Sequence, residues 1–307
     1  MTLPLPSPLH DTPLPEAHAG VRGRLRILVR RLAAGSFAGS YASTFRGRGI
    51  EFDELKEYQP GDDIRDIDWN VTARTGRPFV KRFVEERELT VMLMLDCSAS
   101  MATPSSGETK RELALELCAL LAAAAGNSND RVGLLTFSDR VLSYTPPAKG
   151  RRHTQKILSA LSTPAMPGAV TDIAGALSYF MRVSRRRAVL FLISDFISGE
   201  FSSAMGQAAR RHELLALQVS APQDMRLPEC GLFRARGAEG ASTRLIDSGS
   251  TALRQTYARL ADERQAHLRG LTSSCGAELF TVSTGSDPLR ALHGFFRSRQ
   301  VRQGNHP

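Results

Sequence analysis

Two rhythms of apolar residues run along this chain. The first is a set of short continuous runs: Leu89–Leu95 is apolar at six of seven positions, and Val132–Phe137, Ala188–Ile193 and Leu214–Val219 repeat the pattern. Runs of that length, bounded by charge or small polar residues, predict strands buried on both faces of a parallel sheet. The second rhythm is helical, over Lys110–Ala125, Arg151–Leu161, Asp172–Arg186, Ser202–His212, Ser250–Leu271 and Pro288–Arg297. Strands that alternate with helices predict an α/β, doubly wound, mostly parallel sheet. Val141–Tyr144, closed by Pro146-Pro147, reads as a short edge strand. Phe233–Arg236 and Thr243–Ile246 read as a hairpin, and Glu278–Val282 as a last strand.

Ahead of this sheet the pattern differs. Met1–Gly20 carries five prolines and little periodicity, which predicts a disordered leader. Val21, Leu25, Leu28, Val29 and Leu32 recur at helical spacing among arginines, giving a basic helix. Residues 36–88 then form a polar preface, a small β-containing extension with a strand at Phe79–Val84. Its aspartates, Asp62, Asp63, Asp66 and Asp68, lack the glycine and terminal glutamate of a calcium loop. A structural role is expected instead, with a turn at Pro60-Gly61, Arg65 paired to nearby carboxylates and Trp69 packed.

The chemistry concentrates where the first buried strand ends, at Asp96-x-Ser98-x-Ser100. In open α/β sheets ligands bind just outside the carboxyl ends of strands. One carboxylate and two hydroxyls on a tight loop offer hard oxygen donors that suit Mg²⁺ or Mn²⁺. The same residues also suit a plain strand end with a helix cap. Two more stretches bear on the choice: Thr171 on a loop before a helix, and Asp195 at the end of the Ala188–Ser194 strand. A parallel sheet would gather Asp96, Ser98, Ser100, Thr171 and Asp195 on one edge. Asp172 reads as the N-cap of its helix.

That ordered set resembles the metal-ion-dependent adhesion site of von Willebrand factor A domains. The resemblance implies a metal held by Asp96, Ser98, Ser100, Thr171 and Asp195, with an open position for a partner's carboxylate. The series Gly49-x-Glu51-Phe52, Tyr58-x-Pro60-Gly61-Asp62, Arg65-x-Ile67-Asp68-Trp69, Ala73-Arg74 and Glu86-Arg87 narrows it further. It is similar to the bacterial family called domain of unknown function fifty-eight, von Willebrand A-like proteins often encoded beside MoxR-type AAA+ ATPases. The domains then read as leader 1–20, basic helix and preface 21–88, and von Willebrand A-like domain 89–300. The implied function is a metal-dependent adaptor for a MoxR-type ATPase in a chaperone-like assembly or maturation system.

Composition changes this picture in three places. No apolar run reaches the length of a membrane span and no signal-peptide core is present, so a cytoplasmic protein is expected. Four cysteines, Cys97, Cys118, Cys230 and Cys275, stand far apart without zinc or disulfide spacing. The net charge of +9 is uneven: residues 21–50 hold seven arginines and no acid. Such a segment meets nucleic acid, an anionic membrane or an acidic protein, and charge alone does not choose; binding through it is the alternative function, with nucleic acid the weaker form. No phosphate loop, second nucleophile-side carboxylate or histidine spacing points to catalysis, so no enzyme is expected, and the histidines read as surface residues.

Overall fold

A computed structural model describes residues 37–45, 51–60, 62–84, 88–102, 107–162, 170–236 and 243–304. The leader, the basic helix over 21–32 and the Gly47–Gly49 and Glu86-Arg87 positions lie outside the described residues.

The elements run α1 (Phe37–Phe45), β1 (Glu51–Glu57), α2 (Trp69–Thr75), β2 (Phe79–Val84), β3 (Thr90–Asp96), α3 (Lys110–Asn127), β4 (Arg131–Phe137) and β5 (Val141–Ala148). They continue through α4 (Arg151–Leu161), α5 (Ile173–Val183), β6 (Val189–Ser194), α6 (Ser202–Arg211), β7 (Glu213–Ser220) and α7 (Pro222–Met225). The hairpin β8 (Leu232–Arg236) and β9 (Thr243–Asp247), then α8 (Thr251–Ser274), β10 (Glu278–Ser283) and α9 (Pro288–Gly304) complete the order.

The main sheet has the order β10-β7-β6-β3-β4-β5, parallel except at the β4/β5 edge. This is the doubly wound, mostly parallel architecture that the alternation of strands and helices predicts. β3 is central and its residues alternate between two cores. Val91, Leu93 and Leu95 join one with α1, α3 and α9; Met92 and Met94 join the other with α5 and α6. Burial on both faces explains why this strand reads as a continuous apolar run.

The antiparallel edge strand does not stop before its prolines: β5 runs through Pro146-Pro147 to Ala148. The pairing with β4 is irregular between Val132 and Leu134, so the two missing N–H donors fall where the ladder is already broken. Gly133 sits opposite; a Cβ there would lie 2.9 Å from the Pro147 nitrogen, which is why this position carries no side chain.

Helix α1, which the sequence reading groups with the preface, packs against α9 and α3 of the main domain. Tyr41 is fully buried, its ring edge-on to Phe296 at 6.0 Å, and its hydroxyl donates to Asp130 Oδ2 at 3.1 Å. The other oxygen of Asp130 accepts the Leu89 N–H at 3.2 Å, so one carboxylate ties α1 to the start of the central strand.

The preface is the antiparallel pair β1/β2 with α2 beside it. Trp69, expected to pack, is 66% exposed, because α2 is a two-turn helix with no buried residue. Its fold is local: Asp63 accepts from the Arg65 N–H, and Asp68 caps α2 by accepting from Asn70 and Val71. His212, expected at the surface, is buried, with Nδ1 accepting the Ala188 N–H at 3.2 Å and the ring 5.0 Å from Phe180.

Candidate metal centre

Parallel strands end on one edge, and β3, β4 and β6 bring their following loops together there. Ser194, the last residue of β6, lies one step beyond the Leu95/Ile193 pair and donates to Asp96 Oδ2 at 2.6 Å. The same hydroxyl accepts the Phe196 N–H at 2.9 Å. Asp96 Oδ1 accepts the Ser98 N–H at 2.8 Å, the Asx geometry that turns the chain sharply after the strand. The turn sets Ser98 and Ser100 side by side, their hydroxyl oxygens 3.0 Å apart.

The Thr171 loop is pinned to this edge from both sides. Its carbonyl accepts from Ser198 Oγ at 2.9 Å, and the next N–H, of Asp172, donates to the Ser138 carbonyl beyond β4 at 2.7 Å. Asp172 then caps α5 by accepting from Gly175 at 2.8 Å, as its position predicts. Asp195 follows β6, and Oδ1 accepts the Ile197 N–H at 3.1 Å. The intervening Phe196 has a φ of 58°, a left-handed backbone that a bulky residue seldom adopts and that holds the turn after Asp195.

All five residues singled out in the sequence are buried on this edge. Direct hydrogen bonds join Asp96, Ser98 and Ser100 to the end of β6, and the Ser198 bond joins the Thr171 loop to the stretch after Asp195. Burial pushes the Asp96 carboxyl up to about 6, aided by the charge of Asp195 and opposed by the bonds from Ser194 and Ser98. A carboxylate held out of water in this way gains from an added cation.

Three participants escape a reading of sequence alone. Ser194 supports Asp96 from the neighbouring strand, and its signal is only a polar residue at the last position of an apolar run. Lys110, at the start of α3, is buried, and its Nζ lies 2.6 Å from Asp195 Oδ2 and 3.3 Å from Asp224 Oδ2. Asp224 belongs to α7, more than a hundred residues away in sequence, and nothing local marks it.

The donor set fits a hard divalent cation. Every candidate atom is an oxygen, and two hydroxyls 3.0 Å apart match adjacent corners of an octahedron with metal–oxygen bonds of about 2.1 Å. Among the described residues no three His, Cys, Asp or Glu gather into a metal cluster, so hydroxyls would have to share the ligation with carboxylates.

A family model described as "Protein of unknown function DUF58" matches residues 54–267. Over 289 residues the chain is 33% identical to the uncharacterized protein Rv1480 of Mycobacterium tuberculosis, covering 93% of this chain and 90% of that protein. A Mycobacterium avium protein, MAV169, is 34% identical over 164 residues, 52% of this chain and 95% of its own. Among solved structures, BatB from Bacteroides thetaiotaomicron aligns with a TM-score of 0.45 at 19% identity, over 70% of this chain and 99% of that one. Proximal thread matrix protein 1 of the mussel byssus, with a zinc-occupied MIDAS motif, aligns with a TM-score of 0.36 at 14% identity, over 44% of this chain and 39% of that one.

Proposed function

Because this chain belongs to the DUF58 family, we propose that it is a protein-interaction module whose binding point is a divalent metal at the edge of the sheet. Ser98, Ser100 and Thr171 would hold the ion through their hydroxyls, with Asp96 and Asp195 behind them. A bound Mg²⁺ or Mn²⁺ would supply a Lewis-acidic seat for a carboxylate of the partner. What the chain itself contributes is geometry. Asp96 turns the loop, Ser194 fixes Asp96, and the Ser198 and Asp172 bonds hold the threonine loop in place.

The observation that carries this reading is the pair of buried hydroxyls, Ser98 and Ser100, presented 3.0 Å apart by a loop that a buried aspartate organises. No bond-breaking step is assigned, and the protein acts by binding. The family resemblance points to a MoxR-type AAA+ ATPase as the partner, with this protein as its adaptor. Among the described residues no helix is long and apolar enough to cross a membrane.

Ser98→Ala with Ser100→Ala tests the site better than Asp96→Ala, because removing the Asp96 carboxylate also dismantles the loop. Native-lysate pull-downs run with Mg²⁺ and with EDTA after nuclease treatment, read by mass spectrometry, are the experiment. An AAA+ ATPase captured by the parent in Mg²⁺ alone and lost by the double variant is the expected result. Equal capture in both arms would sink the metal reading and turn attention to the arginine-rich segment 21–50.

A further inference from the structure

Lys110 is a charged residue where the fold has no obvious use for one. It opens α3, a helix buried at most of its following positions, and its side chain is 3% exposed. Its place is fixed by a capping box, in which Thr109 accepts the Glu112 N–H while Glu112 accepts the Thr109 N–H. Burying an ammonium is costly unless carboxylates match it. The match here is Asp195 Oδ2 at 2.6 Å and Asp224 Oδ2 at 3.3 Å.

We propose that Lys110 is a tethered cation that competes with a divalent metal for Asp195 and thereby sets the metal affinity of the site. This inference rests on the metal reading above and adds the residue that tunes it. Asp195 has no idle oxygen: Oδ1 accepts from Ile197 and Oδ2 holds the ammonium. An ion that draws Asp195 toward the serines must weaken that contact. Asp224 gives Lys110 a second seat without re-exposure to water, and it is itself anchored by accepting the Ala221 N–H at 2.9 Å. The competition is therefore between two cations for one carboxylate, with Asp224 stabilising the displaced lysine.

Mn²⁺ titration of the full chain, followed by loss of the free-ion EPR signal, tests this. Lys110→Met should tighten Mn²⁺ binding by about tenfold or more, the scale of one unit charge removed a few ångströms from a cation. The gain should vanish in the Asp195→Asn background, because the lysine acts through that carboxylate. Asp224→Asn, which leaves Lys110 committed to Asp195, should weaken binding. A lysine that merely props up the fold would weaken Mn²⁺ binding when removed, so an unchanged or weaker Lys110→Met overturns the proposal. If Lys110→Met does not fold, Asp224→Asn decides, and unchanged or tighter binding counts against competition. Mn²⁺ held by the parent but insensitive to Lys110→Met refutes this inference and leaves the metal reading standing. Mn²⁺ held by neither protein refutes both.

Discussion

The preface and the edge of the main sheet both collect aspartates on loops, and they use them in opposite ways. In the preface, Asp62, Asp63 and Asp68 stand in or near water and accept backbone N–H groups. Bonding to the Gln59 N–H and to Lys56 lowers the Asp62 carboxyl below its ordinary value. At the sheet edge Asp96 is buried and burial raises it. Hydrogen bonds to the charged form stabilise a carboxylate, whereas desolvation destabilises one. The first group is spent on local structure. The second calls for positive charge, which Lys110 supplies to Asp195 and a metal would supply to Asp96.

The largest effect that tests this contrast is expected from Asp195→Ala. It leaves the buried Lys110 with Asp224 alone, and breaking such a pair costs about 3 kcal/mol. Urea denaturation in EDTA would measure it, and a loss under about 1 kcal/mol would show that the pair behaves like a surface contact.

Asp96→Asn sharpens the comparison through pH. With its folded value raised to about 6, Asp96 favours folding while protonated, and that contribution is lost as pH rises from about 4 through 6. The asparagine keeps an acceptor and a donor for the loop and has nothing to ionise. In EDTA it should match the parent near pH 4 and exceed it by about 2–3 kcal/mol at pH 7. His212, which burial pushes down to about 4, loses stability in the opposite direction as pH falls from about 6.5; it is present in both proteins and cancels. A parent that is the more stable protein at pH 7 would remove the charge demand from the site.

Asp68→Ala should have the smallest global effect. It removes the cap of a helix with no buried residue, so about 1 kcal/mol is lost locally. Limited proteolysis within 69–75 should quicken while the main urea transition stays in place. A shifted main transition would mean that the preface and the sheet unfold as one unit.

How far the sequence could be read follows the same division. The buried strands, Asp96-x-Ser98-x-Ser100, Asp195 and the Asp172 cap were legible because each rests on adjacent residues and a regular period. The place of Thr171 on the same edge followed from a parallel sheet. Lys110 and Asp224 were not legible, since their meaning lies in a contact between the start of α3 and the short helix α7 past β7. Trp69 misled because an aromatic residue usually packs, and His212 because a histidine usually does not. The prolines of β5 read as a stop, yet an edge strand with a broken ladder tolerates them.

The order of the central strand in the sheet has a consequence in time. β3 pairs with β4 some 40 residues downstream, but its other neighbour, β6, lies 98 residues away, as does the Ser194 hydroxyl that holds Asp96. At ordinary rates of synthesis, about 5–20 residues per second, that partner leaves the ribosome about 5–20 s after β3 does. For that interval Val91–Leu95 is an apolar strand with one side unpaired, the kind of segment that nascent chains lose to aggregation or lend to chaperones. A chain truncated before Ser194 would carry every residue of the serine loop and still lack the bond that shapes it.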